Sequence, residues 1–263
     1  MTESDPNPQY DAGELPQPEP AAQNAATPAA PNGYPFWNWK DALLLAGLSL
    51  PVLIVAQFIA LGAAKAFSSL PQAATFATIV GTAFIYGGAF GLLHLFFRLR
   101  YDKPALRSLG WVAPKPMQVS PAVWGIVTAA GSIALGALLR TPAEKTPLDS
   151  MLSDPISIAL LGLLAVTIGP LFEELVFRGF LLPLAARTFG TLAGIALTAL
   201  PFALLHGPEY AWSWQRVSII FFAGAAFGWM RYRSGSTAAA TVMHATYNAT
   251  FVLALAVSKY AGA

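Results

Sequence analysis

Two adjacent glutamates and an arginine lie in a stretch of sequence that otherwise resembles a membrane-spanning helix. The runs Ile156–Leu171 and Gly179–Ala186 contain no ionisable side chain, yet Glu173, Glu174 and Arg178 lie between them. A charged side chain near the middle of a bilayer costs about 2.5–3.5 kcal/mol on insertion scales, so such residues usually have a function. These three residues therefore predict a chemically active site within a membrane.

Helical spacing gives the three residues different environments. Residues four apart share a helix face, so Glu174 and Arg178 can form an ion pair. Glu173 points about 100° away and lacks that partner. A free carboxylate in apolar surroundings is suited to proton transfer, which makes Glu173 the candidate base. In the alternative interpretation, all three residues only join helices, although buried ion pairs are weak stability devices.

Two histidines lie in later apolar segments and are candidate partners of Glu173. Phe189-Gly190 is a plausible turn, with Glu173 sixteen residues before Phe189 and His206 sixteen residues after Gly190. Residues equidistant from the turn of a helical hairpin lie at one depth, so Glu173 and His206 are expected to be level. A lone histidine at a helix end is otherwise often interfacial.

His244 and Asn248 lie one helical turn apart on a single face. An asparagine in this position can hold an imidazole tautomer or donate a hydrogen bond to an oxyanion. The alternative is a hydrogen-bonded pair between helices, which contributes only about 0.6–2 kcal/mol in membranes.

The composition predicts an all-α, polytopic membrane protein. Of 263 residues, 56% are hydrophobic and 11% charged, against about 25% charged in ordinary soluble domains. The net charge of +2 gives no reason to expect a nucleic-acid partner. The absence of cysteine excludes disulfides, thiol catalysis and cysteine-ligated zinc. The N-terminus has no apolar core of the kind found in a cleavable signal peptide.

Three regions follow from the distribution of apolar residues. Residues 1–35 are predicted to be a disordered, acidic, proline-rich tail, residues 36–155 N-terminal transmembrane helices and loops, and residues 156–263 a catalytic helical core. We predict seven spans, or eight if one is split or re-entrant. The spans are Asp41–Ala64, Gln72–Phe97, Pro121–Leu139, Ile156–Ala186, Thr191–Gly207, Val217–Met230 and Thr237–Val257.

The distribution of Lys and Arg predicts the orientation. With seven spans, one side of the membrane carries nine of these residues and the other side five. The positive-inside rule places the nine, and with them the N-terminus, in the cytoplasm. We expect a multi-pass protein embedded in the lipid bilayer of the bacterial plasma membrane.

Three motifs in order carry a resemblance to a known family. Glu173-Glu174-x-x-x-Arg178, Phe202-x-x-x-His206 and His244-x-x-x-Asn248 resemble the signature of the CAAX protease and bacteriocin-processing family, which includes the type II CAAX prenyl protease. The signature covers roughly Gly169–Phe251. It implies a polytopic intramembrane endopeptidase with polar residues on spans four, five and seven.

The resemblance also implies a division of roles among the candidate residues. Glu173 is the implied catalytic carboxylate, and Glu174 and Arg178 lie close to it. His206 is implied to orient or activate water, while His244 and Asn248 stabilise the oxyanion. The implied catalytic set is Glu173, Glu174, Arg178, His206, His244 and Asn248.

The family has been described both as metal-dependent and as glutamate-type, and the residues leave both open. Glu173, His206 and His244 could form a zinc site with one open position. The chain contains no His-Glu-x-x-His pair, and no histidine has a supporting carboxylate recognisable from the sequence. We therefore favour a reaction without a cofactor and keep zinc as the alternative.

The expected function is hydrolysis of a peptide bond in a membrane-associated, prenylated or otherwise lipidated protein or peptide. Glu173 activates the water, and a His/Asn site stabilises the oxyanion. Two other classes stay open: a non-proteolytic peptide-binding or immunity protein, and a proton-coupled transporter. No internal repeat of the kind found in many transporters is visible.

Overall fold

The computed structural model describes residues 33–260, which form helices and no strand. Nearly all of the predicted N-terminal tail lies outside the described residues. The helices are α1 (Trp39–Ala66), α2 (Ala73–Tyr101), α3 (Ala105–Ser108), α4 (Pro121–Leu138), α5 (Pro147–Met151), α6 (Pro155–Val166), α7 (Ile168–Glu174), a π-helical segment (Leu175–Leu181), α8 (Leu182–Phe189), α9 (Thr191–Leu205), a 3₁₀ turn (Gly207–Tyr210), α10 (Trp214–Ser234) and α11 (Thr237–Tyr260).

All seven predicted spans are helical, and the all-α membrane architecture is confirmed. Within residues 33–260, five helical stretches are long and apolar enough to cross a membrane: Trp39–Ala66, Ala73–Tyr101, Pro121–Leu138, Pro155–Phe189 and Thr237–Lys259. Helix α9 is apolar but shorter. Helix α10 has 21 residues, with Arg216 near its start and Arg231 and Arg233 in its last turn, and it is not among the five.

Local sequence signals set the helix ends near the site. Asp154 caps α6, since its carboxylate accepts hydrogen bonds from the amides of Ile156 and Ser157. These bonds lower the pKa of Asp154, with Ser157 as the main cause. Gly190, at φ +84°, ends α8 and begins the turn into α9, where the sequence predicts it. The fourth and fifth predicted spans therefore form a helical hairpin.

The fourth span is interrupted immediately before the glutamates. Thr167 separates α6 from α7 with φ −124° and ψ −86°, outside the helical region. Pro170 lacks the amide hydrogen that would bond to the carbonyl four residues earlier, which explains a break at this point. The fourth span is therefore disrupted beside Gly169-Pro170, whereas α9 continues through Pro201 as one helix.

Close helix contacts bring the later spans together. A Cβ atom on Gly125 of α4 would lie 2.5 Å from the carbonyl oxygen of Met243 on α11, so this approach requires glycine. The buried cluster between α10 and α11 consists of Ala223, Phe227, Met230, Ala239, Ala240 and Met243. Helices α4, α10 and α11 thus form a rigid wall beside the fourth span.

Candidate active site

A cavity of about 670 Å³ lies among the helices, and four of the six candidate residues line it. Glu173 comes from α7, His206 from the end of α9, and His244 and Asn248 from α11. The polar residues therefore lie on spans four, five and seven as predicted. Helices α2, α4, α6 and α10 complete the wall, so the site is more enclosed than three spans would make it.

Glu174 and Arg178 lie behind the cavity wall as a buried ion pair. A guanidinium nitrogen of Arg178 lies 2.9 Å from Oε1 of Glu174, and both side chains are 0% exposed. Arg178 also donates to the carbonyl oxygen of Gly224 at 2.6 Å, and its guanidinium lies 4.5 Å from the ring centre of Phe202. The pair predicted from the spacing forms, and its position suits a supporting function.

Glu174 also holds His244, a relationship that the sequence analysis missed. Nδ1 of His244 lies 2.9 Å from Oε1 of Glu174, although 70 residues separate them along the chain. A carboxylate can only accept, so Nδ1 carries the proton. The sequence offered no supporting carboxylate for either histidine, and the structure supplies one for His244. Its ring also stacks on Phe227, with centroids 4.4 Å apart.

Glu173 has a partner that the sequence analysis also missed. The hydroxyl of Tyr86 on α2 donates to Oε1 of Glu173 at 2.6 Å. Oε2 lies 3.8 Å from Nε2 of His244, which is too long for a direct hydrogen bond. The expectation that Glu173 stands without a partner was therefore wrong, because helical spacing shows neighbours on the same helix and not those on another.

His206 reaches the same cavity from the C-terminal end of α9. Its Nδ1 lies 2.8 Å from the carbonyl oxygen of Phe202, one turn earlier. This contact fixes the proton on Nδ1 and leaves Nε2 as the nitrogen for other partners. Glu173 and His206 thus line one cavity.

Asn248 supports the helix break beside the glutamates. Its amide nitrogen donates to the carbonyl oxygen of Ala165 at 2.7 Å, just before the break at Thr167. The tautomer of His244 is held by Glu174 and not by Asn248. The second amide hydrogen of Asn248 remains available for the predicted contact with an oxyanion.

Glu209 is another ionisable cavity residue that the sequence analysis missed. It follows His206 by three residues in the 3₁₀ turn. Loss of hydration is the main cause that raises the pKa of the Glu209 carboxyl. Interaction with His206 lowers this pKa, and the negative charge of Glu173 raises it. In the sequence, the position of Glu209 three residues after His206 could have indicated that Glu209 lies near the site. For Tyr86, nothing in the sequence around it indicated a role.

The donor set does not fit a metal ion in this arrangement. Within residues 33–260, no three His, Cys, Asp or Glu side chains are grouped closely enough to hold one.

The comparisons with known proteins agree with the motif resemblance. Residues 155–250 match the family described as type II CAAX prenyl endopeptidase Rce1-like, and all six candidate residues lie within this range. No curated protein and no solved structure matches the chain. The match covers α6 to most of α11, whereas α1 to α5 lie outside it.

Proposed function

We propose that this protein is a glutamate-type intramembrane endopeptidase, since residues 155–250 match the Rce1-like type II CAAX prenyl endopeptidases. Its proposed substrate is a membrane-associated protein or peptide that is prenylated or otherwise lipidated. The observation that carries the proposal is the shared cavity of Glu173, His206, His244 and Asn248. We further propose that the N-terminus faces the cytoplasm of a bacterial cell.

The proposed reaction begins with water near Glu173. Oε2 of Glu173 takes a proton while the water oxygen attacks the scissile carbonyl carbon, and Nε2 of His206 orients the water. The carbonyl oxygen becomes an oxyanion. When the peptide C–N bond breaks, Glu173 returns the proton to the leaving amine. The hydroxyl group of the water is then in the carboxyl product, and its proton is in the amine product.

Two side chains are positioned to bind the oxyanion. The second amide hydrogen of Asn248 is one donor. Nε2 of His244 is the other when the ring is doubly protonated, because the Glu174 carboxylate offsets its positive charge. In proteases, one such donor stabilises the transition state by about 2.7–4 kcal/mol. Arg178 in turn holds Glu174 in place.

The test compares wild type with Glu173→Gln on a panel of fluorogenic prenylated and unprenylated peptides in detergent. Glu173→Gln is expected to abolish cleavage, because the amide cannot take a proton from water. The matched control is Glu144→Gln, since the Glu144 side chain is an exposed carboxylate that does not line the cavity. Full activity of Glu173→Gln would disprove the mechanism.

A strong chelator separates the two proposed chemistries. Cleavage that depends on Glu173 and is indifferent to chelator supports the glutamate-type reaction. Cleavage that is lost with chelator and restored by zinc would make Glu173, His206 and His244 ligands. If wild type binds peptides without cleaving any, the protein is a peptide-binding protein. Activity coupled to a proton gradient would instead indicate a transporter.

A further inference from the structure

Tyr86 reaches the candidate base from outside the segment that matches the family. It belongs to α2, whereas the match begins at residue 155. Its hydroxyl lies 2.6 Å from Oε1 of Glu173, the length of a charge-assisted O–H···O bond. The N-terminal half of the chain therefore supplies a direct contact to the site.

The packing around Tyr86 holds its hydroxyl in this position. The phenol ring stacks on Phe172, the residue before Glu173, with centroids 5.3 Å apart and planes at 24°. Phe90, one turn further along α2, packs against Phe172 at 5.8 Å. A Cβ atom on Gly169 would lie 3.7 Å from the hydroxyl oxygen and 3.9 Å from Oε1 of Glu173, which are ordinary contact distances, so the hydroxyl packs directly against this part of α7.

This contact makes the two oxygens of Glu173 different. Oε1 is occupied by Tyr86, while Oε2 lies 3.8 Å from Nε2 of His244 across a gap. A water beside the line that joins these two atoms can contact both of them. A carboxylate that could rotate freely would present either oxygen to the cavity, and the bond to Tyr86 removes that freedom.

We propose that Tyr86 is a positioning residue that holds Oε1 of Glu173 and thereby directs Oε2 toward the gap beside His244. The catalytic consequence rests on the proposed function, since it requires Glu173 to act as the base. The contact itself does not depend on that function and can be tested separately.

The kinetic test is Tyr86→Phe, which keeps the ring and its stacking on Phe172 but removes the hydroxyl. We expect kcat to fall about tenfold to a hundredfold, the effect of losing one hydrogen bond to a charged group. KM is expected to stay within about twofold, because substrate binding does not use the hydroxyl. A residue needed only for folding would instead lower the melting temperature and leave the kcat of the folded fraction unchanged.

Tyr101→Phe is the matched control. Tyr101 lies on the same helix and donates a hydrogen bond of the same length, 2.6 Å, to the carboxylate of Asp41. That pair does not border the cavity, so this variant should keep the wild-type kcat. Equal kcat values for Tyr86→Phe and Tyr101→Phe, with Glu173→Gln inactive, would overturn the inference and leave the proposed function intact.

An infrared measurement tests the contact without any substrate. The carboxylate band of Glu173 is obtained by subtracting two infrared spectra. One is the spectrum of each protein, and the other is that of the same protein with Glu173→Gln added. This band should shift in Tyr86→Phe and stay in place in Tyr101→Phe. If Tyr86→Phe fails to fold, a fluorinated tyrosine at position 86 strengthens the donor and should shift the band in the opposite direction.

The infrared result also separates the two possible failures. An unmoved band in a folded Tyr86 variant would overturn the inference whatever the activity. If wild type cleaves no peptide, the proposed function fails, while a shifted band still establishes that Tyr86 holds Glu173.

Discussion

Oε1 of Glu174 lies 2.9 Å from Nδ1 of His244 and also 2.9 Å from the guanidinium of Arg178. One buried carboxylate oxygen thus orients a cavity histidine and neutralises a buried cation. The arrangement links the fourth span to the seventh, and it explains how adjacent glutamates can have different functions. Glu173 faces the cavity, and Glu174 fixes the residue opposite it.

Glu174→Gln is expected to lower kcat about 10- to 100-fold, as the loss of an orienting carboxylate behind a histidine does in other sites. The amide no longer offsets the charge of a doubly protonated His244, so the oxyanion loses a donor. Steady-state kinetics on the best peptide of the panel measure the effect. KM should change little, and a variant with the wild-type kcat would remove Glu174 from the mechanism.

Arg178→Met is expected to destabilise the protein strongly, because Glu174 would keep a buried charge without its partner. Breaking a buried pair in this way costs about 3–5 kcal/mol in the free energy of unfolding. Unfolding in mixed micelles measures the change.

The control for that prediction is Arg98→Met. Arg98 and Asp102 also form an i,i+4 pair, at 3.6 Å, but their side chains are 52% and 92% exposed. Exposed pairs contribute about 1 kcal/mol or less. Equal destabilisation by the two substitutions would show that the burial of Arg178 does not matter.

Asn248→Ala is expected to lower kcat about 100- to 1,000-fold, the usual loss for one oxyanion donor. Asn248→Asp should lower the free energy of unfolding more than Asn248→Ala does, because a carboxylate would then face the carbonyl oxygen of Ala165. Thr250→Ala is the control on the same helix, since Thr250 donates only to Thr246 within α11 in the described contacts. Wild-type kcat in Asn248→Ala would exclude the oxyanion function.

Trp37→Phe is expected to lower the free energy of unfolding by about 2–4 kcal/mol, because a buried carbonyl loses its donor and the smaller ring leaves a cavity. The indole of Trp37 is fully buried, stacks on Phe180 and donates to the carbonyl oxygen of Phe180 at 3.1 Å. This contact attaches the segment before α1 to the π-helical segment that follows Glu174.

Trp39→Phe provides the comparison for Trp37→Phe. Trp39 donates to Thr188 at 2.9 Å in an exposed position, where water can replace the lost bond. A larger loss from Trp39→Phe than from Trp37→Phe would contradict the prediction.

Patterns confined to a few neighbouring residues were predicted correctly from the sequence. The apolar runs predicted where helices form, although only five of the stretches are long and apolar enough to cross a membrane. The four-residue spacing predicted the Glu174–Arg178 pair, and Gly190 marked the hairpin turn. Each depends on helical periodicity or on the backbone preference of one residue type. The family match to residues 155–250 likewise agrees with motifs read locally.

Contacts between helices were decided only by the tertiary structure. Tyr86 and Glu173 are 87 residues apart, and Asn248 and Ala165 are 83 apart. In a soluble helix, an apolar stripe shows which face is buried. In a membrane, lipid and protein interior are equally apolar, so the sequence does not reveal which faces meet. Helix packing therefore determined which oxygen of Glu173 is held and which carboxylate supports His244.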